Sequence, residues 1–354
     1  MRHRIARREH DIESHKMAEL RCSTMTQRQN FPDWMAFDVE AAAQHIGDRL
    51  RQILSKDLKR RGMVVGISGG IDSSATVAAA VKALGRERVF GLLMPERHSG
   101  PETPSLSRLV AETFGIEHAY EDISGILEAV GFYRRYDDAV REVIPAYGDG
   151  WKSKIVIQHA TEATGFSYFA LVAESPTGEM VREKLPLKTY LAIVAATNFK
   201  QRIRKMLEYY HADRLNFAVA GTPNRLEYDQ GFFVKNGDGS ADVKPIAHLY
   251  KTQVYRLAEH LGVPKAICER PPTTDTYGLA QGQDEFYFLV PYPQMDHCLY
   301  GKNHGRTVEE TATAAGMPEE QVRRVWIDID RKRSATRYHH LPPVLIDEVI
   351  EVQL

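Results

Sequence analysis

The amino-acid sequence predicts an α/β chain: a doubly wound, mainly parallel sheet with flanking helices and an inserted β-hairpin. Three observations carry that prediction. Short runs such as MVVGIS (Met63–Ser68), VFGLLMP (Val89–Pro95) and NFAVAGT (Asn216–Thr222) are apolar nearly throughout, as strands buried on both faces must be. Helix-like stretches separate these runs, and the order strand, helix, strand, helix, strand with short links favours parallel pairing. One segment, Tyr168–Leu185, breaks the rhythm with two alternating runs around a Ser-Pro-Thr-Gly turn, the mark of a hairpin.

Taken in order, the first 36 residues are polar and charged with scattered apolar positions, and they read as a loosely ordered tail. Met17, Met25 and Met35 leave open a later natural start. From Phe37 on, Val39, Ala42, Ile46, Leu50, Ile53 and Leu54 recur every three to four residues, which predicts an amphipathic helix leading into the core. The strand at Met63–Ser68 is followed by a glycine pair and an alanine-rich helix through Leu84. Val89–Pro95 forms the second strand, a helix covers about Leu106–Phe114, and His118–Ile123 gives the third strand. The single domain is expected to span 37–354, with an insertion at 123–196.

Composition narrows the class. Of 354 residues, 43% are hydrophobic and 26% charged, the balance of a globular chain that can bury a large core. The 46 basic and 47 acidic residues leave a net charge of −1, which provides no general field for nucleic acid or an anionic membrane. Cys22, Cys268 and Cys298 are odd in number and far apart, as expected of a chain in a reducing cytoplasm. No apolar run approaches the ~20 residues that span a bilayer.

The sharpest local signal is Ser68-Gly69-Gly70-Ile71-Asp72-Ser73-Ser74, set between a strand and a helix. Glycines let backbone N–H groups close on a polyphosphate, the hydroxyls of Ser68, Ser73 and Ser74 add donors, and the helix points its positive end at the same anion. Asp72 is the odd member, because a carboxylate beside phosphates repels them unless a divalent cation sits between; that suggests Mg²⁺. A plain glycine turn with a serine cap shares these letters, but the strand–loop–helix context is what a phosphate site demands. The loop lacks the G-x-x-x-x-G-K-[ST] pattern of Walker-type proteins.

SGGIDSS is similar to the SGGxDS loop of the N-type ATP pyrophosphatases, which cleave ATP between the α- and β-phosphates and include NAD synthetases, GMP synthetases, asparagine synthetases and tRNA-modifying enzymes. The stretch Gly221–Glu227 and the segment GFFVKNGDGSADVKPIAHLYKTQV (Gly231–Val254) narrow the resemblance to the NAD synthetase family. There Glu227, Lys235, Gly237, Asp238, Gly239, Asp242, Pro245 and Lys251 fall on the family pattern without a gap. Asn198 with Arg202 and Arg204 resembles the family's N-x-x-x-R-x-R helix, and Pro271–Thr276 and Asp284-Glu285 resemble its proline-containing loop and acidic pair. Arg331-Lys332-Arg333 and Pro342-Pro343 resemble its H-K-R and P-P, with Arg331 where histidine is usual.

The resemblance implies an adenine nucleotide alpha hydrolase-like fold and an ammonia-using, ATP-dependent ligase acting on deamido-NAD. It implies ATP on Ser68, Gly69, Gly70, Asp72, Ser73, Ser74, Thr222, Lys251 and Thr273. Mg²⁺ is expected on Asp72, Glu227 and Thr273, since the ion favours one or two carboxylates plus phosphate oxygens. Lys251 can neutralise charge as pyrophosphate leaves. Arg202, Arg204, Lys235, Asp238, Asp242 and Lys332 are expected to meet the dinucleotide, and Asp72, Lys251 and Asp238 to carry the chemistry. A homodimer is implied, with the Phe37–Leu54 helix a candidate contributor, and ammonia is free or comes from a separate glutaminase.

The match is weakest over Ile123–Ala196, where NAD synthetases have a much shorter connection. That insertion reads equally as a lid, a dimer contact, a pocket for a different carboxylic acid or a surface decoration. A pocket for another acid keeps a second substrate in play. On deamido-NAD the insertion is expected to lie outside the dinucleotide pocket.

Overall fold

The computed structural model describes residues 35–158, 168–271, 277–279, 281–282 and 287–349. The expectations for the N-terminal tail, Thr273, the loop beyond Pro271 and Asp284-Glu285 lie outside these residues. Phe37–Leu354 cluster as one compact unit.

Four parallel strands form the central sheet in the order β3-β2-β1-β7: β1 (Met63–Gly66), β2 (Val89–Leu93), β3 (Glu117–Tyr120) and β7 (Ala218–Ala220). Alternate residues of β1, β2 and β7 feed opposite cores. Met63 and Val65 join Val89, Leu93, Ala218 and Ala220 on one face, whereas Val64 joins Phe90, Leu92 and Val219 on the other. Burial on both faces is why these strands read as unbroken apolar runs. The predicted strands hold: β1, β2 and β7 are shorter than their apolar runs, while β3 begins one residue before the predicted His118–Ile123 and ends three residues before Ile123.

On the first face lie α1 (Val39–Gln52), α2 (Ile71–Leu84) and α8 (Lys251–His260). Asp38 caps α1 by accepting from the Ala41 amide at 3.0 Å. Ala43, Ile46 and Leu50 of α1 are buried in the same core as α2 and α8; the Ile46 and Leu50 side chains each contribute roughly 1.5–3 kcal/mol on burial. The apolar stripe of α1 is therefore spent within its own subunit, which corrects the expectation that it serves a dimer. Helix α3 (Thr103–Thr113) packs beside β2.

The second face carries the insertion. Helices α4 (Ser124–Ala129) and α5 (Phe132–Arg141) lead to an antiparallel sheet of β4 (Lys152–Gln158), β5 (Tyr168–Glu174) and β6 (Met180–Lys184). The predicted hairpin is β5–β6, closed by a turn in which the Gly178 amide donates to Ser175 O at 2.9 Å. Strand β4 was not expected, because its sequence KSKIVIQ lies beside a charged aromatic run. That run folds as α5, burying Phe132, Tyr133, Tyr136 and Val140 against Ile155, Leu171 and Ile193. Helix α6 (Leu187–Leu215) then spans from the insertion back to the main sheet, 29 residues in one piece. It ends at Asn216, which turns left-handed (φ 55) to feed β7. Helices α7 (Arg225–Gln230), α9 (Lys265–Cys268), α10 (Tyr292–Asn303), α11 (Val308–Ala315) and α12 (Glu319–His340) complete the described α-helices.

Candidate active site

The chain crosses from β1 toward β2 and β3 on one side and has β7 on the other, so the strand order reverses between β1 and β7. Ligands of open α/β sheets bind at such a switch point, outside the carboxyl ends of the strands. Here β1 delivers Ser68–Ser73 and β7 delivers Thr222, Pro223 and Glu227 to one cavity of about 830 Å³.

The phosphate loop is held by its own hydroxyls. Ser73 Oγ donates to Gly70 O at 3.0 Å and lies 3.1 Å from Ser68 Oγ, while Gly70 N donates to Ser68 Oγ at 3.2 Å. The loop passes against α3 at Gly69 (φ 73), where a β-carbon would come within 2.7 Å of Leu106 Cβ. The first-turn amides of α2 have no partner within the helix and are available to an anion. Ser74 differs from its expected role, since its buried hydroxyl donates to Gly70 O at 2.8 Å and it does not line the cavity. It shapes the loop from beneath.

Across from the loop stands Lys251, the first residue of α8, with Nζ 2.5 Å from Asp72 Oδ2. Burial alone would lower the pKa of this lysine, but the negative charges of Asp72 and Glu227 more than reverse that and raise it. The ammonium therefore stays charged. Its backbone is fixed by Asp296 of α10, whose fully buried carboxylate accepts from the amides of Lys251 at 3.1 Å and Thr252 at 2.7 Å. This is a cap supplied from another helix, and burial holds the Asp296 pKa up near about 6. Nothing local in the sequence announces it.

Asn224 caps α7, accepting from Leu226 N at 2.9 Å, and its Nδ2 donates to Asp72 Oδ1 at 3.1 Å. Glu227 completes the capping box by accepting from Asn224 N at 3.1 Å. The link from Asn224 to Asp72 joins two loops far apart in sequence, and no local pattern announces it. The Tyr255 hydroxyl, under the influence of Lys251 and Asp72, has no hydrogen-bond partner among the described residues, as suits a group awaiting a polar ligand.

Helix α6 forms one long wall. Arg202 and Arg204 line the cavity, with Arg204 Nε donating to Met94 O at 3.1 Å. Below them Lys205 pairs with Glu208 at 2.6 Å, both buried, and Lys200 pairs with Glu96 at 2.7 Å at exposures of 1% and 0%. Asp238 faces the cavity and accepts from Val234 N at 2.7 Å; burial raises its pKa, with Lys205 and Arg204 acting against that. Lys235 Nζ donates to the carbonyls of Tyr338 at 2.7 Å and Leu341 at 3.0 Å. Lys332 lines the cavity from α12, bonded to Tyr287 O and Asp328.

Thus Ser68, Gly69, Gly70, Asp72, Ser73, Arg202, Arg204, Thr222, Glu227, Lys235, Asp238, Lys251 and Lys332 share one cavity. Asp242 does not join them: it is exposed and its Oδ2 accepts from Val219 N at 2.7 Å, so it serves to pin β7. Tyr168 and Phe169 of the insertion do line the cavity, contrary to the expectation that the insertion lies outside.

A parallel sheet with a glycine–serine phosphate loop at its switch point, faced by a lysine–aspartate pair, defines an α/β nucleotide-binding protein of the ATP-pyrophosphatase kind. The family model described as NAD synthase matches residues 42–145 and 175–338. The chain belongs to the NAD synthase family. It is 58% identical over 321 residues to the NH(3)-dependent NAD(+) synthetase of Rhizobium meliloti strain 1021, covering 91% of this chain and 96% of that one. It is 54% identical over 317 residues to the protein of that name from Rhizobium rhizogenes strain K84, covering 90% and 96%. The solved NH3-dependent NAD synthetase from Campylobacter jejuni shares the fold at a TM-score of 0.57 and 19% identity, over 88% of this chain and 100% of that one.

The family model leaves out 146–174, the region of β4 and all of β5. The alignment with the R. meliloti protein leaves out only about a tenth of this chain, less than the span 123–196. Part of the insertion is therefore shared with a protein that bears the NAD(+) synthetase name. As a motive for a different carboxylic acid, the insertion loses its force.

Proposed function

We propose that this chain is an ammonia-dependent NAD synthase: it adenylates the nicotinate carboxylate of deamido-NAD with ATP and converts the acyl-adenylate to the amide with ammonia. The single observation that carries this reading is the Lys251–Asp72 pair beside the Ser68–Ser74 loop, in a cavity whose other wall carries Arg202, Arg204 and Asp238. A polyphosphate has its donors on one side, and an anionic second substrate has its own on the other.

In the first step, a carboxylate oxygen attacks the α-phosphorus of ATP and the bond to the bridging β-oxygen breaks, releasing pyrophosphate. The loop amides and Lys251 neutralise the charge that collects on the leaving group, and fixed donors of this kind act without reorganising. The Tyr255 hydroxyl is placed to add one more donor. In the second step, the ammonia nitrogen attacks the acyl carbon, AMP departs, and one proton leaves the nitrogen. Asp238, whose carboxyl burial makes more basic, is the group to receive it.

Among the described residues no three His, Cys, Asp or Glu side chains cluster as a metal cage. That fits Mg²⁺, which takes one or two protein carboxylates and completes its shell with phosphate oxygens and water. Asp72 and Glu227 supply hard oxygen donors on the two loops of the switch point and would hold the ion. Bound there, it would neutralise phosphate charge.

The remaining parts of this reading are a cytoplasmic setting, ammonia from solution or a separate glutaminase, and a homodimer. Among the described residues no helix is long and apolar enough to cross a membrane. Exposed Leu187, Leu191, Met206 and Tyr210 along α6 support pairing with a second copy. The direct test is release of AMP and pyrophosphate on addition of deamido-NAD, ATP, ammonia and Mg²⁺. Absence of AMP above background would remove the assignment.

A further inference from the structure

Helix α10 touches Lys251 at two points, and neither of the touching residues lines the cavity. At the backbone, Asp296 accepts from Lys251 N at 3.1 Å and from Thr252 N at 2.7 Å. At the far end of the side chain, the Lys251 ammonium lies 5.1 Å from the centroid of the Tyr292 ring, within the range of a cation–π contact. Tyr292 and Asp296 are four residues apart on one helix and so are neighbours on one face. The fully buried ring of Phe288 packs against that of Tyr292, with centroids 5.7 Å apart, and steadies it.

The two contacts divide the lysine between them. Asp296 fixes the backbone, but a flexible four-carbon stem separates the backbone from the charge, and the carboxylate does not orient that stem. The ammonium carries three N–H donors, and Asp72 Oδ2 stands 2.5 Å from Nζ to take one of them. A ring face attracts the charge without claiming a donor, so the others stay available to the oxygens of a departing phosphate. Because that attraction is not a hydrogen bond, it also persists when the ammonium turns from the carboxylate toward a phosphate. Lys251 is 1% exposed, and such a contact is strongest where water is excluded.

We infer that α10 grips Lys251 at both ends, and that Tyr292, through its ring face, is a positioning residue that keeps the ammonium directed at the leaving pyrophosphate. This rests on the function proposed above, in which Lys251 neutralises the charge of that group. Since neither Tyr292 nor Asp296 lines the cavity, their loss should appear in kcat and not in the KM for deamido-NAD.

The test varies the ring face at nearly constant shape. Phenylalanine, and phenylalanines bearing one, two and three ring fluorines, are placed at position 292 of the full chain, each fluorine drawing charge from the ring face. Tyr292→Phe should keep most of the turnover, and kcat should then fall with every added fluorine while thermal unfolding stays level. Tyr292→Leu should lose about 5- to 30-fold in kcat, the worth of a desolvated cation–π contact. Asp296→Asn, which leaves one carbonyl oxygen for two amides, should lower kcat as well, again at an unchanged KM for deamido-NAD. A further readout needs no turnover: Tyr292→Leu should shift the urea midpoint less in a Lys251→Met background than in the parent. A level kcat across the fluorine series, a normal kcat in Asp296→Asn, or equal urea shifts in both backgrounds would overturn the grip. Absence of AMP release from the parent would sink the function reading alone, because the urea comparison still decides whether the ring holds the lysine.

Discussion

Asn224 Nδ2 donates to Asp72 Oδ1 at 3.1 Å, joining the loop after β7 to the loop after β1 across 152 residues of sequence. The same side chain caps α7, so one residue sets the helix that carries Glu227 and orients the carboxylate that faces Lys251.

Asn224→Ala is expected to lower kcat about 10- to 100-fold, the usual penalty for misplaced reacting groups. The lost cap should also cost about 1 kcal/mol of stability. Asn224→Asp keeps the cap but sets a carboxylate against Asp72, so it should regain stability and not turnover. Thermal unfolding and AMP release measured together separate the two effects. Normal turnover in the alanine variant would show that the link is incidental.

The Lys251–Asp72 pair makes a second prediction. Lys251 is 1% exposed, and an unpaired buried charge is costly, so Asp72→Asn should destabilise by about 3 kcal/mol. Adding Lys251→Met to it should recover most of that loss while turnover stays at background. Urea unfolding of the single and double variants gives the coupling energy. A value near zero would mean that Asp72 and Lys251 do not sustain each other.

What the sequence disclosed follows from where the information sits. The Ser68–Ser74 loop is local chemistry between a strand and a helix, so its letters sufficed. Strands β1, β2 and β7 were legible because burial on both faces leaves no polar position to confuse them. Helix α6 was seen only around Asn198–Arg204, because it meets the core, the cavity and solvent on different sides and so lacks one apolar stripe. Asp242 and Ser74 sit in register with site residues, yet each is spent on backbone geometry that a motif does not encode. Asp296 acts through contacts made only on folding, and no spacing in the chain foretells it.

His98 yields a prediction about acid. It lies edge-on to Phe132, Tyr133 and Tyr136 and faces Lys200, Glu96 and Arg97; burial, then the Lys200 charge, press its pKa from 6.5 down to about 4. A base with a depressed folded pKa binds its proton more readily when unfolded. Its contribution is thus complete above pH 6.5 and is lost as the pH falls toward 4, by at most ~3 kcal/mol. His98→Gln should flatten stability between pH 7 and 4.5 in urea unfolding. Parallel pH profiles for variant and parent would discount the histidine.

Asp238 and Lys205 give the last prediction, which bears on the second chemical step. Burial raises the Asp238 pKa, and the nearby ammonium of Lys205 restrains the rise. If Asp238 receives the proton shed by the attacking nitrogen, it must be ionised to act, and the acid limb of kcat against pH reports its titration in the complex. Removing the positive charge of Lys205 favours the protonated form, so the limb should move to higher pH. Lys205→Met alone would strand the buried Glu208 carboxylate, 2.6 Å from the lysine, so the comparison uses Lys205→Met with Glu208→Gln against Glu208→Gln alone. The double variant should show its acid limb at higher pH, with the rate recovering on the alkaline side. Asp238→Asn should abolish the limb together with most of the turnover. An acid limb that stays in place when Lys205 is removed would assign the titration to another group and take the proton-accepting role from Asp238.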